Sequence, residues 1–220
     1  MKAIKAVIFD WDGTVMDSTQ RIASSMQSTA KRLALPLPST QQVRDIIGLS
    51  IDKAFMALFG RLTESELNLL RETYRIEYVE NNKTPSPLFE GVEQVLEELS
   101  VNFKLAVATG KGRQGLERVM AVSNTKHFFQ VTFSADDAES KPHPDMVLKV
   151  SKALKLDPSE CVMVGDTTFD MEMAKNAGMQ RVGVSYGAHQ SDRLAVFDPI
   201  EIIDDIRDLP GILRRQNINT

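Results

Sequence analysis

Short apolar runs alternate with amphipathic stretches along most of this chain. The first run, Ile4 to Phe9, is rich in β-branched residues and is followed at once by polar residues, a pattern typical of a buried parallel strand. Five further apolar runs of this kind lie at residues 104–108, 131–133, 161–164, 181–184 and 200–203. Helical spacing of apolar residues separates most of them. The alternation therefore predicts an α/β protein with a parallel sheet and helices on both faces.

One long stretch interrupts this alternation. Residues 17–82 carry apolar residues at helical spacing and contain no strand pattern. Ser39 with Gln42, and Thr63 with Glu66, each have the spacing of a capping box that opens a helix. The stretch is therefore predicted to be an all-helical insertion after the first strand.

The insertion divides the chain into two predicted domains. Pro85-Ser86-Pro87 ends the helical stretch, and the strand–helix alternation resumes after it. Residues 1–16 and 83–220 are predicted to form an α/β core domain, and residues 17–82 a helical cap domain. The residues after the last apolar run are predicted to be a polar tail.

Polar side chains collect where the predicted strands end. Asp10 and Asp12 follow the first strand, Thr109 and Gly110 follow the second, and Asp166 follows the fourth. The carboxyl ends of parallel strands meet at one edge of a sheet, so we expect these residues to lie together. Two like charges as close as Asp10 and Asp12 require a proton or a cation between them, and a hard divalent metal such as Mg²⁺ suits carboxylate oxygens.

Composition excludes several classes of function. The 220 residues carry a formal charge of -4 with no long run of either sign, which argues against a nucleic-acid-binding surface. Cys161 is the only cysteine, so no internal disulfide framework exists, and its apolar neighbours predict a buried thiol. No signal-peptide pattern and no apolar run of about 20 residues are visible, so we expect a cytoplasmic protein without a membrane partner.

Four motifs in order resemble a known family. They are Asp10-Trp11-Asp12-Gly13-Thr14, Thr109, Lys141-Pro142-His143-Pro144 and Gly165-Asp166-Thr167-Thr168-Phe169-Asp170. This order, each motif in its expected strand or loop, is similar to the haloacid-dehalogenase-like (HAD) superfamily, within it the phosphoglycolate-phosphatase-like branch. The resemblance covers essentially the whole chain. It implies a doubly wound, Rossmann-like parallel sheet with an inserted helical cap, and a magnesium-dependent phosphatase.

The resemblance gives the first motif two roles. Asp10 matches the nucleophile that attacks phosphorus and becomes an aspartyl phosphate. Asp12 matches the general acid that protonates the leaving alkoxide and then the base for the hydrolytic water, and its backbone carbonyl matches a metal ligand. Dehalogenases that act on carbon lack an aspartate at the Asp12 position, because a halide leaves without a proton. Asp12 therefore favours phosphate ester chemistry.

The resemblance also assigns the later motifs. Thr109 matches the hydroxyl that holds the phosphoryl group, and the backbone N–H of Gly110 adds a donor. Lys141 matches the lysine that bridges nucleophile and phosphate. Asp166 matches the acidic ligand of Mg²⁺, while Asp170 is expected to hold a metal-bound water or to orient Lys141, and also to stabilise a helix N-terminus.

Several functions stay open at this level. The leading one is hydrolysis of a small phosphorylated metabolite, with phosphoglycolate, a sugar phosphate and a nucleoside monophosphate all compatible. A phosphomutase of the β-phosphoglucomutase type would use the same motifs and pass the phosphoryl group to a second hydroxyl. A non-catalytic regulatory protein on this fold is the alternative of another class. We expect a monomer or homodimer.

Some residues have two interpretations. Lys111 and Arg113 either contact a substrate anion or lie exposed at a helix start. The turn Gly48-Leu49-Ser50, with Lys53 one helical turn later, is a candidate for reading the substrate or an ordinary connection between helices. The side chain of Trp11 is expected to point away from the two aspartates. The three histidines, His127, His143 and His189, are expected to be structural or exposed.

Overall fold

A six-stranded parallel sheet lies at the centre of the molecule, whose computed structural model describes residues 2–218. The strands are β1 (Ala6–Phe9), β2 (Lys104–Ala108), β3 (Val131–Phe133), β4 (Cys161–Gly165), β5 (Gln180–Val184) and β6 (Glu201–Ile203). Their order across the sheet is β3-β2-β1-β4-β5-β6. The predicted strands are all present, and β1 lies in the middle of the sheet.

Ten α-helices accompany the strands within residues 2–218. They are α1 (Thr19–Arg32), α2 (Thr40–Arg44), α3 (Ile51–Phe59), α4 (Glu64–Ile76), α5 (Val92–Ser100), α6 (Arg113–Val122), α7 (Asp145–Leu154), α8 (Thr168–Asn176), α9 (Ser191–Ala195) and α10 (Leu209–Ile218). A short π-helical turn, Glu77–Asn81, continues α4.

Both faces of the sheet are covered, as the uninterrupted apolar strands predict. Successive side chains of a strand point to opposite faces. Val7 and Phe9 accordingly belong to a buried cluster that includes residues of α5, α6 and α10. Ala6 and Ile8 belong to a second cluster that includes residues of α7 and α8. The α/β fold with helices on both faces is therefore confirmed.

The helical insertion, residues 17–82, contains α1 to α4 and the π-helical turn and no strand. Its helices pack around a third apolar cluster that includes Met26, Val43 and Phe55. Both predicted capping boxes are formed, with Ser39 and Thr63 accepting from the backbone three residues later. The helical character of the insertion is confirmed, and its division from the core as a cap domain stays a prediction.

The two connections between core and insertion run side by side. The backbone N–H of Asp17 donates to the carbonyl of Pro87 at 2.8 Å, and Met16 forms an antiparallel bridge with Leu88. The insertion therefore begins and ends at neighbouring points of the core.

The predicted polar tail is wrong. Residues 209–218 form α10, in which Leu209, Ile212 and Leu213 are buried against the core. Their spacing is that of an apolar helix stripe. The sequence hides it because Pro210-Gly211 is a pair typical of turns, although proline is tolerated in the first turn of a helix. The short helix α9 was not predicted either.

Among residues 2–218, no helix has both the length and the apolar character that crossing a membrane requires.

Candidate active site

Strand register brings three of the motifs to one edge of the sheet. Phe9 at the end of β1 lies opposite Val107 of β2 and Val164 of β4. Asp10 follows Phe9 directly, and the predicted site residues of the neighbouring strands follow within two positions. The convergence expected from a parallel sheet is therefore present in the structure.

Asp10 lies at the centre of this edge and is 1% exposed. Its Oδ1 accepts a hydrogen bond from Lys141 Nζ at 2.7 Å, whereas its Oδ2 is buried and has no hydrogen-bond partner among residues 2–218. Burial raises the pKa of Asp10 to about 7, opposed by the charge of Lys141 and reinforced by the charge of Asp170. One oxygen of Asp10 is thus free to meet a further group.

Lys141 bridges two acidic side chains in the interior. Its ammonium lies 2.7 Å from Asp10 and 2.5 Å from Asp170 Oδ1, and its side chain is fully buried. Burial lowers the pKa of Lys141, but the charges of the two aspartates outweigh burial and raise it, so the ammonium stays protonated. Asp170 Oδ2 accepts from Thr167 at the start of α8, so one carboxylate both orients Lys141 and caps the helix.

Asp166 is held from two sides. Thr14 Oγ1 donates to its Oδ1 at 2.8 Å, and the backbone N–H of Ala188 donates to its Oδ2 at 2.7 Å. The backbone approaches so closely that a Cβ at Gly13 or at Gly187 would lie 2.2 Å from an atom of this side chain. Only glycine fits at both positions, so the loops that contain Gly13 and Gly187 fix the position of the Asp166 side chain.

The three buried carboxylates form a set that suits a hard divalent cation. Oxygen atoms of Asp10, Asp166 and Asp170 lie within 4.8 Å of one another. Burial, and repulsion from the other two carboxylates, raise the pKa of Asp166 well above its usual range. Three acidic groups share one ammonium, and Oδ2 of Asp10 has no hydrogen-bond partner among residues 2–218, so a cation would relieve the repulsion. The chemistry of this donor set therefore fits Mg²⁺.

Asp12 lies apart from the carboxylate cluster. Its Oδ1 accepts from Ser18 Oγ at 2.6 Å, and its Oδ2 lies 3.0 Å from Lys111 Nζ. The proposed metal ligand at this residue is the backbone carbonyl, so the side-chain position does not conflict with it. Lys111 is mostly buried and also lies 5.1 Å from the ring centroid of Tyr78, which excludes the exposed interpretation. Arg113 instead hydrogen-bonds to strand β3 and the loop after it.

A cavity of about 390 Å³ opens above these residues, between the core and the insertion. The lining residues that the core contributes include Asp10, Asp12, Thr109, Gly110 and Lys111, which we call the cavity floor. The insertion closes the cavity from the opposite side, with Gly48 and Leu49 among its lining residues. A Cβ at Gly110 would lie 2.4 and 2.6 Å from the carbonyl oxygens of Gly48 and Leu49, so the two parts meet in close contact here.

The tryptophan, the three histidines and Lys53 do not line the cavity. Trp11 is buried in the core against Phe129, away from the cavity, as predicted. His127 and His143 are exposed, while His189 is buried and accepts from the backbone N–H of Thr168 at 3.1 Å. Lys53 is exposed and does not line the cavity. Each histidine is thus structural or exposed, as expected.

Sequence reasoning missed three contributors. Ser18 was not singled out, although a hydroxyl six residues after Asp12 is close enough in sequence to reach it. Gly187 and Ala188 were also missed, because nothing in the first motif indicates that the loop after β5 would fold over Asp166. A glycine three residues after the end of β5 was the available signal.

Comparison with known proteins agrees with the geometry. The family described as haloacid dehalogenase-like hydrolase matches residues 7–184. The "Probable phosphatase IndB" of Dickeya dadantii is 33% identical over 93% of this chain and 91% of its own length. Pyrophosphatase PpaX of Bacillus mycoides is 30% identical over 97% of this chain and 99% of its own.

A solved structure shows the same fold. The crystal structure of a predicted phosphoglycolate phosphatase from Haemophilus somnus is 29% identical, with a TM-score of 0.82 over 96% of this chain and 99% of that one. The family match spans most of the chain, and the resemblance predicted from the four motifs is confirmed. The chain belongs to the haloacid dehalogenase-like hydrolases and is an enzyme of that family.

Proposed function

We propose that this enzyme hydrolyses a small phosphate monoester with Mg²⁺, through a phosphoryl group carried on Asp10. One observation carries the proposal: Asp10, which lines the cavity, lies 2.7 Å from Lys141 Nζ and belongs to a cluster of three buried carboxylates. Phosphoryl transfer requires positioning and charge stabilisation more than elaborate covalent chemistry, and this arrangement supplies both.

The reaction takes place in two steps. A carboxylate oxygen of Asp10 attacks phosphorus, the bond between phosphorus and the ester oxygen breaks, and Asp12 gives its proton to the leaving alkoxide. Water then attacks the phosphorus of the aspartyl phosphate while Asp12 takes a proton from it, which releases inorganic phosphate and restores the carboxylate of Asp10. Ser18 and Lys111, on the two oxygens of Asp12, orient this side chain for both steps.

The other site residues hold the transferring group. Lys141 offers its ammonium to the phosphoryl oxygens, and the Thr109 hydroxyl and the Gly110 N–H are donors at the cavity floor. Asp10, the backbone carbonyl of Asp12 and Asp166 would hold Mg²⁺, with Asp170 outside them. When bound, the metal neutralises charge on the phosphoryl oxygens.

The helical insertion acts in this proposal as a cap domain over the core domain of residues 1–16 and 83–220. Its placement across the cavity supports a role in excluding water and selecting the substrate. The partner is a small phosphorylated metabolite rather than a nucleic acid or a membrane, and the enzyme acts as a monomer or homodimer in the cytoplasm. The phosphatase and pyrophosphatase names of the relatives support phosphoryl chemistry.

The proposal is tested by measuring phosphate release from a panel of phosphate monoesters. Activity is expected with Mg²⁺, is lost with excess EDTA and returns when Mg²⁺ is restored. Asp10→Asn is expected to lower the rate by about 10⁴-fold or more, as loss of a catalytic nucleophile does. Asp17→Asn, an exposed aspartate at the start of the insertion, is the matched control and should keep the parent rate. Full activity of Asp10→Asn would contradict the nucleophile assignment.

Product analysis distinguishes the mutase alternative. A hydrolase releases one inorganic phosphate for each ester consumed, whereas a mutase returns an isomeric sugar phosphate and no free phosphate. Incubation with hexose phosphates, followed by NMR of the phosphorus nuclei, separates the two outcomes.

A further inference from the structure

The insertion's share of the cavity lining is mostly apolar, although Arg71 and Arg75 also belong to it. Six of its apolar or aromatic side chains are Ile22, Met26, Ile47, Ile51, Tyr74 and Val79. We call these six the apolar wall. They come from α1, the segment after α2, α3, α4 and the π-helical turn, so five separate pieces of chain present apolar groups to one space. A ligand that fills this space must tolerate burial against hydrocarbon.

The charges around the cavity are largely neutralised. Three of the four cationic side chains that line it form ion pairs: Arg71 with Asp52, Arg75 with Glu80 and Lys111 with Asp12. Arg118 is the fourth; it forms no ion pair within residues 2–218 and lies 5.8 Å from the ring centroid of Tyr78. A second strongly anionic group on a substrate would therefore find one cation without an ion pair among residues 2–218, in a lining whose other cations are already paired and whose remaining side chains are mostly apolar.

The size of the cavity is also informative. Its volume of about 390 Å³ lies in the range of roughly 300–1,000 Å³ that accommodates organic ligands with a substantial body. Pyrophosphate and phosphoglycolate are small and polar throughout. Either would occupy the floor and leave the apolar wall in contact with water, so neither would gain binding energy from it.

We infer that the enzyme selects phosphate monoesters whose alcohol part is a ring-sized body with apolar faces, and that the apolar wall reads this body. The inference rests on the proposed function, because the phosphoryl group must lie at Asp10 for the alcohol part to reach the wall. Contact with the wall desolvates the alcohol part and orients the ester for attack. Small, fully polar phosphates lack that contact and react more slowly.

The first test compares kcat/KM across a series at saturating Mg²⁺. The series contains pyrophosphate, phosphoglycolate, a polar sugar phosphate, phenyl phosphate and a nucleoside monophosphate. We expect the two ring-bearing esters with apolar faces to exceed phosphoglycolate and pyrophosphate by at least about tenfold, as differences of a few buried methylene groups do in other enzymes. A higher kcat/KM for pyrophosphate or phosphoglycolate would overturn the inference.

The second test fills the cavity. Ala54 lines it from α3 and is 3% exposed, so Ala54→Leu extends hydrocarbon into the space. We expect the ratio of kcat/KM for phenyl phosphate to that for phosphoglycolate to fall at least about tenfold. Met56→Leu lies on the same helix, is 42% exposed and does not line the cavity, so it is the matched control and should keep the parent ratio.

Val79→Thr provides an independent variant of nearly the same shape. Val79 is half-buried, and the substitution places a hydroxyl in the apolar wall with little change in side-chain volume. We expect it to lower the ratio of kcat/KM for phenyl phosphate to that for phosphoglycolate. If the cavity is only a packing defect, Ala54→Leu raises the melting temperature and both variants leave the ratio unchanged, which overturns the inference.

Failure of the proposed function gives a different result. If no ester in the series releases phosphate with Mg²⁺, the proposed function fails together with the inference. If every ester is hydrolysed at a similar kcat/KM and the ratio does not respond to either variant, only the inference fails. If pyrophosphate is the preferred substrate and Arg118→Gln selectively slows its hydrolysis, Arg118 binds a second anionic group of the substrate, and the inference fails.

Discussion

The two sides of the cavity are built on different principles. On the core side, functional polar groups have named partners: Lys141 lies between two aspartates, Asp166 is held by Thr14 and a backbone N–H, and Asp12 is fixed at both oxygens. On the insertion side, the lining is mostly hydrocarbon. It meets the core at the backbone carbonyls above Gly110, and Ser18, at its start, is the insertion side chain that donates to Asp12.

This difference separates the rate of the chemical step from the choice of substrate. Charged groups in a preorganised, buried cluster act on whichever phosphoryl group is present, because they contact only that group. An apolar surface contributes according to the size and shape of the rest of the substrate. Substitutions on the core side should therefore slow all esters alike, and substitutions on the insertion side should change their ranking.

Among the substitutions that test this separation, Lys141→Met is expected to have the largest effect. Removal of the ammonium leaves three buried carboxylates without a cation and deprives the phosphoryl group of a stabilising charge. We expect kcat/KM to fall by about 10²–10³-fold for every ester in the series. We also expect the free energy of unfolding without metal to fall by about 3–5 kcal/mol, measured by urea titration.

Lys149→Met is the matched control for this experiment. Its ammonium pairs with Asp145 on the surface of α7 and its side chain is 42% exposed, so the loss of stability should stay below about 1 kcal/mol. If Lys141→Met slowed the hydrolysis of one ester and not of another, a core residue would also select the substrate, which would contradict the division of roles between the two sides of the cavity.

An intermediate effect is expected from Thr14→Val. This change keeps the shape of the side chain and removes the hydroxyl that donates to Asp166 Oδ1 at 2.8 Å. We expect the Mg²⁺ concentration for half-maximal activity to rise about 10–100-fold, the usual cost of losing a partner of a metal ligand. Thr40→Val, at an exposed position of the insertion, should leave the Mg²⁺ requirement unchanged.

The smallest effect is expected from Thr63→Ala in the insertion. The hydroxyl of Thr63 accepts from the backbone N–H of Glu66 and caps α4 at the surface. Its removal should lower the free energy of unfolding by about 1 kcal/mol. The ranking and the rates of the ester series should not change, because this exposed cap does not line the cavity. A large loss of activity would show that the insertion helps the chemistry directly.

The part of this molecule that could be predicted follows from short-range rules. Strand ends of a parallel sheet meet, so Asp10, Thr109 and Asp166 could be placed at one edge from sequence alone. Capping boxes depend on residues three positions apart, and both were predicted correctly. Asp170 was expected either to hold a metal-bound water or to orient Lys141, and also to lie at a helix start; in the structure it contacts Lys141 and lies in the first turn of α8.

The remainder depends on distant pieces of chain. The partner of Lys111 is Asp12, about a hundred positions away, and no spacing rule connects them. The close approach of Gly187 to Asp166 requires the path of the loop after β5. Helix α10 was missed because its apolar stripe is short and opens with residues typical of turns, and it becomes evident only when the cluster that buries it is known.

The pairing of the two connections at Asp17 and Pro87 has a consequence for how such an enzyme can diversify. Since the chain leaves and rejoins the sheet at hydrogen-bonded neighbours, the segment between them can be lengthened, shortened or exchanged for another folded piece without rethreading any strand. An exchange that kept Ser18, which holds Asp12, would leave the reacting groups in place while replacing the side chains that line the rest of the cavity.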